Sequence, residues 1–292
     1  MGPAPGHHLR AGQLSGAPDP ADLRTLEALF ARHRVRPSHR LGQNFLVDPA
    51  LRDRVAAEAG IEDGDTVLEV GSGPGTLTLA LAERATRVIA VEVDRRLIGV
   101  FREVTAGRAG IEVLEGDVLR LPLPRADVVA GNIPYYLTGA LLPRLLERPD
   151  PPRSVTLVVQ REVAERWTQP GDWSLGTLAV QVFAVPELRF LLAREAFWPV
   201  PAVESASVLL RVRARPAIEV TDFAAFFRFA ERIFQFRRKQ LGGTLARVAG
   251  PDASERLAAT GIEPTRRPQT LGLAEWEALY RAFEGPAANL KP

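Results

Sequence analysis

The feature that most constrains the fold is an alternation of apolar runs with helical patterns between residues 49 and 160. The apolar runs have the length of buried strands, and segments with apolar residues at helical spacing lie between them. Such alternating units are typical of a doubly wound parallel sheet. The predicted strands are 66–71, 87–92, 111–115, 126–131 and 154–160, and the predicted helices lie near 49–59, 75–84, 94–104 and 137–147.

Two later segments, 187–192 and 205–213, also have strand character, and no obvious crossover helix joins them. Such a connection favours antiparallel pairing at one edge of the sheet. Strand signals stop after Pro216, and helical periodicity continues to about Phe283. The sequence therefore predicts an α/β fold with a Rossmann-like, mostly parallel sheet, an antiparallel last strand and a small C-terminal all-helical domain.

Composition excludes several classes of protein. The chain has 292 residues, no Cys and four scattered His. Disulfides, a thiol nucleophile and Cys-ligated zinc are thereby excluded, and no metal site is expected. Neither a signal peptide nor an apolar run of about 20 residues is present, so we expect a cytoplasmic protein that does not enter a membrane.

The segment that follows the fourth predicted strand has the residues of an active-site loop. Pro134 fixes its own φ angle and holds Ile133 extended. The amide oxygen of Asn132 and the carbonyl of Ile133 offer two hydrogen-bond acceptors, and Tyr135 offers an aromatic face. Together they suit a planar amine that must be held and stacked. An ordinary strand-to-helix turn with an incidental Pro explains the same residues equally well.

A second group of residues suits a nucleoside. Gly71, Gly73 and Gly75 form a GxGxG turn after an apolar strand, a spacing that differs from the GxGxxG of dinucleotide folds. Glu92 ends the next strand, where a carboxylate accepts from both hydroxyls of a ribose, and Asp117 follows the third strand, where it suits an adenine amino group. Each acid alone also fits a solvated loop, but their order at successive strand ends favours a nucleoside site.

Taken with the stretch Gly42-Gln43-Asn44-Phe45-Leu46, these motifs resemble the ribosomal RNA adenine dimethyltransferase family, in particular the bacterial branch that acts on the small subunit. The resemblance spans about residues 22 to 284. It implies a Rossmann-like S-adenosylmethionine-dependent methyltransferase that forms N6,N6-dimethyladenosine at two adjacent adenosines near the 3′ end of 16S RNA, with a role in subunit biogenesis. Further matches lie at 159–166, 197–205 and 236–241.

The resemblance also implies roles for individual residues. S-adenosylmethionine would contact one set of residues. The target adenine would contact a second set, in which Phe197 is a second aromatic residue besides Tyr135. Three departures from the family pattern, Ala202, Leu175 and the pair Gly242-Gly243, fall on parts expected to touch RNA. The cofactor set is Asn44, Leu46, Gly71, Gly73, Gly75, Glu92, Asp117 and Asn132, and the catalytic set is Asn132, Ile133, Pro134, Tyr135 and Phe197.

The resulting domain prediction is a flexible tail at 1–21, a catalytic domain with an N-terminal basic arm at 22–215, and a helical RNA-binding domain at 216–292. Two basic patches, one on the arm and one on the helical domain, are expected to contact phosphates of ribosomal RNA. A solvated helix face is the alternative for the second patch, and a monomer is expected. The patches are Arg32, Arg34, Arg36 and Arg40, and Arg237, Arg238 and Lys239.

Three alternatives remain open at this point. The first is a related methylase of 23S RNA that confers macrolide resistance and carries the same Asn-Ile-Pro-Tyr loop. The second is an RNA-binding assembly factor that keeps the fold and no longer methylates, against which the intact Glu92, Asp117 and Asn132 argue. The third is a nicotinamide-dependent oxidoreductase, which the GxGxG spacing disfavours.

Overall fold

A computed structural model of the chain describes residues 18–134, 137–169 and 171–283. Its centre is a seven-stranded sheet in the order β4-β3-β2-β5-β6-β9-β7, beside a two-stranded sheet of β1 and β8. The strands are β1 Phe45–Leu46, β2 Thr66–Val70, β3 Arg87–Glu92, β4 Ile111–Glu115, β5 Val128–Asn132, β6 Ser154–Gln160, β7 Ala184–Leu192, β8 Phe197–Trp198 and β9 Ser205–Val212.

Aspartates begin many of the helices. The carboxylates of Asp22, Asp48 and Asp222 each accept a hydrogen bond from a backbone N–H in the first turn that follows, which satisfies a donor the helix itself leaves free. The helices are α1 Leu23–His33, α2 Pro49–Ala57, α3 Thr76–Ala82, α4 Arg95–Val104, α5 Thr138–Leu146, α6 Arg161–Thr168, α7 Leu175–Phe183, α8 Phe223–Phe234, α9 Leu241–Ala249, α10 Ala253–Ala259 and α11 Leu273–Phe283.

The predicted fold class is confirmed. Strands β2 to β6 of the large sheet run parallel, while β9 is antiparallel to both β6 and β7. Because β9 lies between two strands and is covered on both faces, its first six residues, Ser205 to Leu210, are all buried, the two serines included. The strand order reverses between β2 and β5, and in open sheets of this kind ligands bind at such a switch point.

Helices α6 and α7, between β6 and β7, were not predicted from the sequence. In α7 the side chains from Thr177 to Val180 are buried without interruption, so the segment has no polar face and no helical period to detect. The two-stranded sheet was missed as well. It pairs Phe45 with Trp198 and Leu46 with Phe197, and strands of two residues are too short to show an alternating pattern.

The helical domain shares a hydrophobic core with the sheet. Phe183 of α7 lies with its ring centroid 5.0 Å from that of Phe223 and 5.8 Å from that of Phe227, both in α8. At the other end of the described chain, Asp19 forms an ion pair with Arg52, and Ala21 is fully buried. The last residues of the predicted flexible tail, 18–21, are therefore packed against the catalytic domain. None of the helices in the described ranges has the length and apolar character of a membrane span.

Candidate active site

A cavity of about 290 Å³ opens at the carboxyl ends of β2, β3 and β5, at the switch point of the sheet. Five segments form most of its wall: 41–46 before and in β1, 69–74 with 76–77 around the glycine turn, 91–93 at the end of β3, 116–119 after β4, and 132–134 after β5. The structure thus brings most of the predicted site residues together. Those that line the cavity are Asn44, Leu46, Gly71, Gly73, Glu92, Asp117, Asn132, Ile133 and Pro134.

The glycine turn approaches the cavity with its backbone. Gly71, Gly73 and Gly75 have φ angles of 72°, 58° and 94°, which glycine adopts without strain. A Cβ atom on Gly73 would lie 3.2 Å from the ring of Phe45. Gly75 faces elsewhere, because a Cβ there would meet Val104 and Phe101, so in this structure it serves the packing of α3 against α4 and does not line the cavity.

Glu92 is 5% exposed and accepts two backbone hydrogen bonds, from the N–H of Gly73 at 2.8 Å and from that of Asp94 at 2.8 Å. Burial raises the pKa of this carboxyl, against the lowering effect of the two N–H groups. Val93, the next residue after Glu92, also lines the cavity and is 49% exposed. An exposed valine beside a fixed carboxylate suits a ligand with a hydroxylated part and an apolar ring. No pattern in the sequence marked Val93 as a site residue.

Glu69, inside β2, is a second buried acid that lines the cavity, and it was not among the predicted site residues. It is 1% exposed, and the hydroxyl of Thr78 donates to it at 2.5 Å. Burial is the main reason that its pKa rises to about 8, and the neighbouring charge of Glu92 raises it further. The sequence signal for Glu69 was a glutamate in an otherwise apolar strand, because burying a carboxyl group is costly unless the site uses it.

We expect Glu69→Gln to remove a pH-dependent destabilisation. The folded protein binds the proton of Glu69 more tightly than the unfolded chain does, so stability is lost as pH rises from about 4.5 towards about 8. At pH 9 the variant should exceed the parent by about 2 kcal/mol or more in free energy of unfolding, and near pH 4 the two should converge. Urea unfolding at several pH values measures this, and a difference that stays constant with pH would contradict it.

Two hydroxyls in the cavity wall have no hydrogen-bond partner among the described residues. Ser72 Oγ and Thr76 Oγ1 are both buried. An unpaired buried hydroxyl is costly, and in a cavity wall it is available to a ligand. Asp117 also lines the cavity: its Oδ1 accepts from the N–H of Leu119 at 2.9 Å, and its Oδ2 lies 3.5 Å from Arg120 Nε. Polar groups from two separate segments therefore line the cavity.

Asn132 is oriented by the segment in front of β1. Its Nδ2 donates to the main-chain carbonyl of Asn44 at 2.9 Å, which leaves Oδ1 as an acceptor. Strand β5 brings Asn132 to the cavity because Gly131, the residue before it, lies close to β2. A Cβ atom on Gly131 would stand 2.5 Å from the carbonyl oxygen of Val70. Tyr135, predicted to stack on the substrate, lies outside the described residues.

Phe197, predicted to stack on the substrate, lies in the hydrophobic core. It is 2% exposed, is paired with Leu46 between β8 and β1, and does not line the cavity. In this arrangement the ring supports the floor of the site. The predicted stacking role stays a prediction, and it requires the ring to become accessible.

Each of the two predicted basic patches has one member near an acidic side chain. Arg32 pairs with Glu103 on α4, and Arg237 lies 3.7 Å from Asp172. The remaining members have no ion pair with any described residue. These are Arg34, Arg36 and Arg40 on the arm and Arg238 and Lys239 on the helical domain.

Comparison with known proteins identifies relatives along nearly the whole chain. The family model described as ribosomal RNA adenine dimethylase matches residues 34–284. A relative from Dinoroseobacter shibae, named ribosomal RNA small subunit methyltransferase A, is 41% identical over 281 residues, which are 92% of this chain and 98% of the relative.

Two solved structures share the fold. A dimethyladenosine transferase from Plasmodium falciparum superposes with a TM-score of 0.68 at 25% identity, over 81% of this chain and 96% of its own. The 23S rRNA methyltransferase ErmE superposes with a TM-score of 0.62 at 31% identity, over 82% of this chain and 100% of its own.

Proposed function

Since the chain belongs to the ribosomal RNA adenine dimethylase family, we propose that it transfers methyl groups from S-adenosylmethionine to N6 of two adjacent adenosines near the 3′ end of 16S RNA. The product is N6,N6-dimethyladenosine, and the modification accompanies small-subunit biogenesis. The observation that carries this proposal is the near full-length match to a small-subunit methyltransferase at 41% identity. The 23S branch is the weaker candidate, because its representative ErmE is 31% identical over less of the chain.

The described residues fit the cofactor. Both oxygens of Glu92 keep lone pairs free after their two backbone bonds, which would suit the hydroxyls of a ribose. Asp117 suits the adenine amino group, and Val93 the face of that ring. The unpaired hydroxyls of Ser72 and Thr76 suit the charged amino-acid end. S-adenosylmethionine would supply an activated methyl group on its sulfonium, and the neutral thioether S-adenosylhomocysteine would be the leaving group.

The remaining chemistry is orientation of the target amine. The lone pair on N6 of adenine is conjugated with the ring, so the free amine is a poor nucleophile. Asn132 Oδ1 and the carbonyl of Ile133 accept the two N–H groups and direct the lone pair at the methyl carbon. No strong base is needed, because the amine loses its proton readily once it is methylated. To reach the site the base must leave its stack, which costs a few kcal/mol.

Methyl transfer tests the proposal directly. The protein is incubated with labelled S-adenosylmethionine and either undermethylated small-subunit particles or large-subunit RNA, and the nucleosides of the product are analysed. N6,N6-dimethyladenosine in the small-subunit sample supports the proposal. Label in the large-subunit RNA alone would move the protein to the 23S branch. Cofactor binding without transfer to either RNA would favour an assembly factor that has lost the activity.

We expect the basic arm to contribute to RNA affinity through Arg36 and Arg40, which are exposed and have no ion pair with any described residue. Replacing both with Gln should weaken binding to small-subunit particles and reduce the slope of log affinity against log salt by about 1.4, since about 0.7 is lost for each contact to single-stranded RNA. Filter binding at several salt concentrations measures both quantities.

A matched control removes the same charge from the opposite edge of the sheet. Arg125 precedes β5 and Arg215 follows β9; both are exposed, and neither forms an ion pair within the described ranges. Changing these two to Gln should leave the salt slope unaltered. Equal losses in the two double variants would mean that net charge alone, and no defined patch, supports RNA binding.

A further inference from the structure

One amide side chain holds the segment in front of β1 over the cavity. Gln43 Oε1 accepts from the backbone N–H of Ser38 at 2.8 Å, and its Nε2 donates to Asp94 Oδ2 at 3.0 Å. The first bond closes the segment on itself. The second ties it to the turn between β3 and α4, 51 residues further along the chain.

Both ends of this bridge lead to functional atoms. The backbone N–H of Asp94 donates to Glu92 Oε1 at 2.8 Å, so the turn that receives Gln43 also fixes the buried carboxylate. Next to Gln43, the carbonyl of Asn44 accepts from Asn132 Nδ2 at 2.9 Å. Three hydrogen bonds, joined by the covalent structure of Asp94 and of Gln43-Asn44, therefore connect Glu92 with Asn132.

The segment 38–44 has few other attachments. On one side α1 is anchored by the contact of His33 with Glu103, 2.6 Å between Nε2 and Oε2, and on the other side β1 pairs with β8. Between these anchors the backbone bonds run within the segment, from Leu41 to Ser38 and from Gly42 to His39. Among the residues that the structure describes, no hydrogen bond except that of Gln43 ties this segment to the β3–α4 turn.

We propose that Gln43 is a positioning residue, a latch that fixes the segment 38–44 over the cavity. It sets the affinity for the cofactor, because the closed segment forms one wall of the cavity, and it sets the orientation of the Asn132 amide through the carbonyl of Asn44. The inference rests on the proposed function, because it concerns the same site.

The test exchanges donor and acceptor across the bridge. Gln43→Glu keeps the size of the side chain and its acceptor for Ser38 but places a carboxylate against that of Asp94. We expect the Kd for S-adenosylmethionine to rise by about tenfold and kcat to fall, as the loss of one hydrogen bond to a charged group predicts. Adding Asp94→Asn restores a donor facing an acceptor, because the new amide nitrogen at position 94 donates to the new carboxylate at position 43. The amide oxygen keeps the bonds that Asp94 Oδ1 accepts from Arg96, whereas the bond from Arg96 Nη2 to Oδ2 is lost, and the single variant Asp94→Asn measures that loss separately.

Titration calorimetry and single-turnover methylation are measured on the parent, both single variants and the double variant. In the double variant, the Kd for S-adenosylmethionine and the rate of methylation should return to within about threefold of the parent values. General damage to the fold would not produce such a rescue. The proposal would be wrong if the Kd of Gln43→Glu for S-adenosylmethionine lay within twofold of the parent value. It would also be wrong if the double variant bound S-adenosylmethionine no more tightly than Gln43→Glu does. Failure of the parent itself to bind S-adenosylmethionine would instead overturn the proposed function.

Limited proteolysis provides a readout that needs no cofactor. Arg40 lies exposed in the latched segment and is a trypsin site. Opening the latch should make cleavage after Arg40 faster in Gln43→Glu than in the parent, and the double variant should be protected again. Equal cleavage rates in all of these proteins would contradict a latch.

Discussion

Asn132→Ala should reduce methyl transfer by about a hundredfold or more while leaving cofactor binding within about tenfold of the parent. The first effect follows because the substitution removes a pre-oriented acceptor from the reacting amine, and losses of this kind typically cost 10² to 10³ in kcat. The second follows because only one neutral hydrogen bond, that from Asn132 Nδ2 to Asn44, is lost from the cavity wall. Single-turnover transfer and titration calorimetry measure the two effects separately.

Gln181 provides a matched control for this variant. Its Nε2 donates to the main-chain carbonyl of Trp167 at 2.6 Å, so it too is a half-buried amide bonded to a backbone oxygen, but it lies in α7 and does not line the cavity. Gln181→Ala should lower the Tm by a similar amount and leave kcat unchanged. If both variants lost activity in proportion to stability, Asn132 would have no special part in the reaction.

The fold could be predicted to the extent that each element showed its own periodicity. The central parallel strands β2, β3, β5 and β6 could be recognised because they are buried on both faces and bounded by turns. Helix α7 could not, since burial on all sides leaves no amphipathic period. The pairing of β1 with β8 depends on residues that are about 150 positions apart, and no local pattern encodes such a contact.

The site could be predicted where a residue's position along a strand fixed its place in space. Glu92 and Asp117 follow adjacent strands, and parallel strands bring their carboxyl ends to one edge. Glu69 was missed because its burial, which raises its pKa, arises from tertiary packing; the hydroxyl of Thr78 in α3, which opposes that rise, is brought to it by the same packing. The bridge of Gln43 likewise depends on the position of Asp94, which tertiary structure alone sets.

Glu92→Gln should raise the Kd for S-adenosylmethionine by about a hundredfold. In the parent, each carboxylate oxygen accepts one backbone N–H, from Gly73 or from Asp94, and keeps lone pairs free for a ribose hydroxyl. The amide presents an NH₂ group where one oxygen stood, so a donor faces a backbone donor and one acceptor for the ribose is lost. Two hydrogen bonds to a charged group are together worth about 3 kcal/mol, which is about a hundredfold in affinity.

The same substitution at an exposed acid isolates the effect of the site. Glu112 lies on β4 in the same sheet, pairs with Arg87 at 2.8 Å and does not line the cavity, so Glu112→Gln should bind the cofactor as the parent does. Burial raises the pKa of Glu92, which means that the charged form is costly to the fold. Calorimetry on the two variants decides the matter: equal affinities would show that Glu92 is a structural residue and that the ribose is held elsewhere in the cavity.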